Sequence, residues 1–246
     1  MSRGSEARSL VFDAGSVISL ATNNLLWLLP PLKERFGGSF IITRSVESEI
    51  VTKPMQTKKF KFEAIQIRHL IATGTIEVVD SPEVEGIAAH LLNLANNLFM
   101  CKGQAIHIVH AGEMESLATV IHAKASALVI DERTTRQLIE DPRQIARRMR
   151  IKLHKPVHTS KQQENMLSYE LKNVNVIRSI ELVCVAYEIG LLDHYLENLS
   201  DEHQGRKDLL EAVLWGMKLN GCSVSQEEIG EILGIEHLAD IPSPDK

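Results

Sequence analysis

The sequence has few cysteines and no long apolar run. Its three cysteines, Cys101, Cys184 and Cys222, stand far apart, without the spacing of a zinc site or of a disulfide framework. We therefore expect reduced thiols and a cytoplasmic protein. The longest apolar run, residues 25–32, is short and broken by two prolines, so we predict no membrane span. Residues 1–9 are polar, so we expect no secretory signal there.

An excess of basic residues is also missing. Lysine and arginine number 27 against 32 aspartates and glutamates, which gives a net charge of −5. The protein as a whole is no polycation, so any contact with nucleic acid must be local. One local stretch, residues 143–161, holds seven basic residues and no acid. This stretch is either a surface that holds a phosphate backbone or a solvated helix face.

What the sequence does have is two apolar strands that each end in an acid. Residues 10–12 form an apolar run with no polar break, which indicates a strand buried on both faces of a parallel sheet. Asp13 follows directly, and open α/β sheets bind ligands just outside the carboxyl ends of their strands. Residues 127–130 repeat the pattern and deliver Asp131. The alternative for Asp13 is that it only caps the following helix.

Two further pairs of acids lie near helix starts between these strands. Glu47 and Glu49 follow a predicted strand over residues 40–42; two residues along a helix rotate by about 200°, so at most one of them faces a common site. Glu113 and Glu115 fall in the first turn of another predicted helix, where the helix dipole alone would explain them. If one acid of each pair joins the strand-end aspartates, the four carboxylates suit a divalent cation such as Mg²⁺.

The chain divides by pattern into three parts. Residues 1–8 are predicted to be a flexible terminus, residues 9–160 an α/β domain, and residues 161–246 an extension that is helical throughout, with one helix over residues 174–189. Within the α/β domain a long helix is predicted over residues 84–100. We expect the extension to cover a surface of the sheet domain or to form a dimer contact.

Four segments, in this order and spacing, resemble the PIN-domain nucleases. They are residues 13–21, 46–50, 112–118 and 128–132. The resemblance spans roughly residues 9–157 and is closest to the branch whose third acid lies in a Gly-Glu-x-Glu turn. It implies a parallel-sheet, Rossmann-like three-layer α/β/α domain, here followed by a helical extension. It also implies hydrolysis of RNA phosphodiesters with Mg²⁺ or Mn²⁺ by in-line attack of water between two cations.

Carried over position by position, the resemblance assigns roles to particular side chains. The catalytic and metal-holding acids would be Asp13, Glu49, Glu113 and Asp131. Ser16, Glu47 and Glu115 would be supporting residues. Positions proposed to contact RNA are basic: Lys58, Lys59, Lys61, Arg133, Arg136, Arg147 and Arg148. The partners implied are an RNA substrate, a second copy of the chain as a homodimer, and a protein of antitoxin type, although the long extension argues against a simple toxin.

Two rival functions remain at this point. The first is a PIN-like RNA-binding or scaffold protein that has lost its metal site; the presence of all four acids argues against it. The second is a phospho-receiver of flavodoxin-like fold, which also gathers acids at strand ends around Mg²⁺. A receiver needs a lysine after a late strand, and no strand followed by lysine comes after Asp131. It would also leave Glu49 and Glu113 unexplained.

Overall fold

The computed structural model describes residues 8–197 and 202–239. Of the terminus predicted to be flexible, residues 1–7 lie outside the described part. The β-strands are β1 (Ser9–Phe12), β2 (Ser39–Thr43), β3 (Glu77–Val79), β4 (Phe99–Cys101), β5 (Gln104–Ala105), β6 (Ala127–Val129), β7 (His158–Thr159) and β8 (Val176–Ile177).

Helices connect these strands and make up the end of the described chain. The α-helices are α1 (Ala14–Thr22), α2 (Leu29–Phe36), α3 (Arg44–Glu47), α4 (Lys53–Met55), α5 (Lys61–Ala72), α6 (Pro82–Asn96), α7 (Ala111–Ala123), α8 (Arg133–Glu140), α9 (Pro142–Leu153), α10 (Lys161–Leu171), α11 (Ser179–Glu188), α12 (Glu202–Leu219) and α13 (Gln226–Ala239). A π-helical turn, Ser48–Thr52, joins α3 to α4. In the described ranges, no helix combines the length and apolarity that a bilayer crossing requires.

The main sheet of the described chain is parallel and five-stranded, in the order β3-β2-β1-β6-β8. The chain adds β2 and then β3 on one side of β1, and β6 and then β8 on the other. Between β1 and β6 the direction of winding therefore reverses. In open α/β sheets the carboxyl ends on either side of such a switch point form the crevice that binds ligands. A small antiparallel sheet, β5-β4-β7, lies apart from the main one.

Both faces of the main sheet are covered by helices. Because side chains alternate along a strand, Leu10 and Phe12 join one apolar core and Val11 joins the other. The first core takes in residues of α1, α2, α5, α11 and α12, and the second takes in residues of α6, α7, α9 and α10. The unbroken apolar run of β1 follows from this two-sided burial. The predicted three-layer α/β/α architecture is confirmed.

The C-terminal helices cover the first face of the sheet. Leu210, Leu214 and Met217 of α12 belong to the same core as Leu10 and Phe12. The extension therefore covers a surface of the sheet domain, which is one of the two arrangements expected from the sequence. The boundary predicted at residue 160 stays a prediction, although β8 adds a strand to the sheet beyond it.

Two predicted helices were wrong in part. The helix predicted over residues 84–100 ends at Asn96, and β4 follows. The extension is not helical throughout, because Val176 and Ile177 form β8 inside the helix predicted over 174–189. Both residues are β-branched, and they pair with Leu128 and Val129 of β6. The apolar pattern of this stretch fits either a helix or a strand, and pairing with β6 makes it a strand.

Candidate active site

Asp13 lies at the carboxyl end of β1, beside the switch point of the sheet. Its backbone N–H donates to the carbonyl of Val129 at 2.9 Å, so it sits between the ends of β1 and β6. Its carboxylate accepts a hydrogen bond from the N–H of Gly15 at 3.2 Å and caps α1. The residue is 6% exposed. Capping and a place in the crevice, which the sequence left as alternatives, are therefore both properties of this side chain.

The environment of Asp13 disfavours its charge. Burial raises the pKa of Asp13 from 3.8 to about 6, and the negative charges of Glu113 and Glu49 add to the rise. Hydrogen bonds from the backbone N–H groups of Gly15 and Ala14 oppose it. Within residues 8–197 and 202–239 no basic side chain forms a salt bridge with any of these three acids. In the described ranges the charge of Asp13 is therefore opposed by two other acids and is not offset by a salt bridge.

Glu113 enters from the first turn of α7. Its Oε2 atom accepts from the N–H of His110 at 3.1 Å and from the hydroxyl of Thr135 at 3.0 Å. Burial raises the pKa of Glu113, and the charge of Glu132 contributes to the rise. Glu132 in turn accepts from the N–H of Thr135 at 2.6 Å. Thr135 is fully buried and hydrogen-bonds to both acids, so it fixes Glu132 near Glu113.

Glu49 and Glu47 have different surroundings. Glu49 belongs to the π-helical turn, and its charge acts on Asp13. Glu47 lies 3.6 Å from Nη1 of Arg44 and accepts a 3.4 Å hydrogen bond from Thr52. A π-helical turn is a rare conformation that occurs often at functional sites. Of the two acids, Glu49 is the one with an electrostatic link to Asp13.

Asp131 is held by the start of α11. Its Oδ1 atom accepts from the N–H of Ser179 at 2.8 Å and its Oδ2 atom from the hydroxyl of the same residue at 2.6 Å. The carboxyl group is 2% exposed. Cys222 lies close by: burial raises the pKa of its thiol to about 12, with the charge of Asp131 contributing. The role of Asp131 as a metal ligand stays a prediction.

Two predicted supporting residues lie to the sides of the acid cluster. The hydroxyl of Ser16 donates to the carbonyls of Asp13 at 2.7 Å and Val129 at 3.1 Å, so it ties the ends of β1 and β6 together. Glu115 lines a separate cavity of about 350 Å³ that is also bordered by Arg44 and Asp80. Ser16 thus stabilises the backbone around the cluster, and Glu115 faces elsewhere.

The predicted RNA contacts fall on both sides of the acids. Lys58 and Lys59 are exposed between α4 and α5, and Lys61 is exposed at the first position of α5. On the other side Arg148 donates to the hydroxyl of Thr134 at 3.2 Å. Partial burial and the charge of Arg133 lower the pKa of Arg148, and Glu132 opposes that change. Arg147 is exposed, and Arg136 is half-buried with a buried Nε that has no hydrogen-bond partner.

The donor set suits a hard divalent cation. The converging groups are carboxylates, and oxygen ligands of this kind select Mg²⁺ or Mn²⁺ over softer metals. A cation would also neutralise the charge that raises the pKa of Asp13. Within the described ranges, however, no three His, Cys, Asp or Glu side chains are drawn together into a ready-made metal cluster. The acids share one end of the sheet, and their side chains would have to close around an ion.

Sequence reasoning missed Glu132 and Thr135. The signal for them was the order Glu-Arg-Thr-Thr just after β6, where a carboxylate caps a helix by accepting from the N–H three residues later. That pattern identifies a cap. The proximity of this cap to Glu113 comes from the hydrogen bond between Thr135 and Glu113, which lie 22 residues apart, and has no local signature.

Comparison with known families agrees with this geometry. A family model described as a PIN domain matches residues 9–154. No curated protein and no solved structure gave a significant match to the chain. The match spans more than half of the sequence and covers β1 to α9, including the acids at the switch point. The chain therefore belongs to the PIN-domain family, whose members are generally nucleases.

Proposed function

We propose that the protein is a metal-dependent endoribonuclease. The observation that carries the proposal is the burial of Asp13 at the switch point of the sheet, where the charges of Glu113 and Glu49 act on it and no salt bridge of the described chain involves any of the three acids. These acids come from the end of β1, the π-helical turn and the start of α7. Asp13 is buried at a strand end with two like charges acting on it, and a perturbed carboxylate of this kind in a crevice is typical of functional sites.

Asp13, Glu49 and Glu113 would hold Mg²⁺ or Mn²⁺, and the end of β6 would supply a fourth carboxylate. Asp131 is the residue that the family resemblance assigns, and Glu132 is a second candidate because its charge acts on Glu113. Bound cations would supply an activated water and a counter-charge for the leaving oxygen. Thr135 holds Glu113 and Glu132 in place, and Ser16 fixes the backbone beneath Asp13.

The basic residues would position the RNA through its phosphates. Lys58, Lys59 and Lys61 lie on the side of Glu49, and Arg133 and Arg148 lie on the side of Glu132. Such contacts orient a strand without reading its sequence. A strand that reached from the lysines to the arginines would then pass the acid cluster and bring a scissile phosphate beside it.

The test is cleavage of labelled single-stranded RNA with Mn²⁺, with Mg²⁺ and with a chelator. We expect wild type to cut only with metal, and Asp13→Asn, Glu49→Gln and Glu113→Gln to lose at least 100-fold in rate, the order of effect of losing a group that stabilises the reaction centre. Matched controls are Glu47→Gln and Glu115→Gln, which should stay close to wild type. Mn²⁺ should also raise the melting temperature of wild type and leave that of Asp13→Asn nearly unchanged.

Other outcomes have definite meanings. Salt-dependent RNA binding without cleavage would replace the nuclease with the RNA-binding scaffold. Equal losses in Glu47→Gln and Glu49→Gln would show that the choice between these acids is wrong. The cytoplasmic location, the homodimer and the partner of antitoxin type stay predictions; gel filtration and co-purification address the last two.

A further inference from the structure

A small apolar cavity lies next to the acid cluster. Its volume is about 170 Å³, and its lining includes Ile18, Ile50, Phe60 and Ile67 together with Glu49. Cavities for drug-sized ligands run to about 300–1,000 Å³, so this one accepts a single ring system rather than a whole nucleotide. Because Glu49 belongs to both the cavity and the acid cluster, a group in the cavity would sit beside the bond to be cut.

Phe60 forms one wall of this cavity and is held there by an unusual backbone. Its φ angle is 60°, a left-handed conformation that phenylalanine rarely adopts, and it lies directly before α5. Phe60 is 43% exposed although it also lines the cavity. Strained conformations persist where the surrounding structure holds them, and they cluster at binding sites. The side chain is thus presented to whatever enters from solvent.

The charge around Phe60 indicates the kind of ligand. Lys58, Lys59 and Lys61 flank it in the sequence, and all are exposed. The Nζ atom of Lys59 lies 4.6 Å from the centre of the Phe60 ring. Aromatic rings interleaved with cations are the pattern that binds single-stranded nucleic acid, in which rings stack on bases and cations track phosphates. An apolar side chain of a partner protein would use the ring but not the lysines.

We propose that the cavity receives one unpaired nucleobase of the RNA strand, stacked on Phe60, with Lys59 on the adjoining phosphate. The proposal rests on the proposed function, because RNA is the ligand in both. It makes Phe60 a substrate-positioning residue that anchors a base while the neighbouring phosphate lies near Glu49. It further implies that the enzyme requires a base it can unstack, so single-stranded RNA should be preferred to a perfect duplex.

The experiment measures binding apart from cleavage. Two fluorescent oligonucleotides of equal length, one of single-stranded RNA and one with abasic spacers in place of the bases, are titrated with the full chain in chelator. The variants are Phe60→Leu, which keeps apolar volume but has no π face, and Phe60→Tyr, which keeps the ring. Phe62→Leu is the matched control, since Phe62 is 66% exposed and does not line the cavity.

We expect wild type, Phe60→Tyr and Phe62→Leu to bind the base-bearing strand more tightly than the abasic strand. Phe60→Leu should bind the base-bearing strand about five-fold more weakly or worse, and the abasic strand unchanged. Equal behaviour of Phe60→Leu and Phe62→Leu, or an equal loss on both strands, would overturn the proposal. Equal binding of the two strands by wild type would also overturn the proposal, and would favour a protein partner as the occupant of the cavity.

Cleavage in Mn²⁺ separates this proposal from the nuclease assignment. Base preference that depends on Phe60, without any cleavage, would sustain the nucleobase site and refute the nuclease. Metal-dependent cleavage with a Phe60→Leu rate equal to that of Phe62→Leu would sustain the nuclease and refute the nucleobase site.

Discussion

Ser179 donates two hydrogen bonds to Asp131, from its N–H to one carboxylate oxygen and from its hydroxyl to the other. Asp131 lies two residues after the end of β6, and Ser179 begins α11. The neighbouring Arg178 donates to Glu181 at 2.8 Å and to Glu228 of α13 at 2.8 Å. The end of β6 is thus connected through two adjacent residues to the C-terminal helices.

This relationship separates the roles of Asp131 and Glu132. We expect Asp131→Asn to lower the free energy of unfolding by about 1–3 kcal/mol, because a buried hydrogen-bonded carboxylate is altered. Glu132→Gln should weaken Mn²⁺ binding while changing stability less. Urea unfolding and Mn²⁺ titration of both variants test this. Loss of cleavage in Asp131→Asn at an unchanged melting temperature would instead make Asp131 a ligand.

The raised pKa of Asp13 predicts a pH dependence of stability. Well below pH 4 the carboxyl group is protonated in both the folded and the unfolded state, so it does not lower the stability. As the pH rises from about 4 to 6, Asp13 loses its proton first in the unfolded chain, where its pKa is 3.8. The free energy of unfolding therefore falls over this range and reaches its full loss above pH 6. At pH 7 the loss amounts to roughly 3 kcal/mol. Without metal, Asp13→Asn should be more stable than wild type at pH 7 and equal to it well below pH 4. A difference independent of pH would contradict the argument.

Arg178 is expected to hold the C-terminal helices on the sheet. Its side chain is 10% exposed, and those of its partners Glu181 and Glu228 are 40% and 37% exposed. Breaking a buried ion pair costs about 3–5 kcal/mol; because solvent screens the partners, we expect Arg178→Met to cost about 2 kcal/mol. Hydrogen exchange should show faster opening of α13. Arg143→Met is the control and should unfold like wild type, because the side chain of Arg143 is 82% exposed in its pair with Asp141.

The three lysines around the start of α5 should act through charge alone. Each phosphate contact on a single strand contributes about −0.7 to the slope of log affinity against log salt. Replacing Lys58, Lys59 and Lys61 by alanine should therefore flatten the slope and weaken binding to all sequences alike. Fluorescence anisotropy at several salt concentrations measures both. An unchanged slope would indicate that the RNA binds near the arginines instead. Arg147→Ala and Arg148→Ala would then be the variants to measure.

Parts of this structure could be predicted because their signals are local. The unbroken apolar run of β1 and the acid after it required only neighbouring residues, and the same holds for β6. The partner of Asp131 could not be predicted, since Ser179 lies 48 residues further along. Nor could the π-helical turn at Glu49, because nothing in the composition of residues 48–52 distinguishes it from an α-helix. Two residues of β8 are too few for a periodic pattern.

Strand β8 has a consequence for a fragment limited to the part of the chain that the family model matches. The family match ends at residue 154, and β8 begins at Val176. A fragment cut at that boundary would leave one side of β6 with unpaired backbone groups, an open edge on which other chains can add. We expect such a fragment to aggregate, and a fragment ending after α11 to aggregate less, as light scattering would show. During synthesis the same edge stays open until β8 has left the ribosome, which is when a chaperone would matter most.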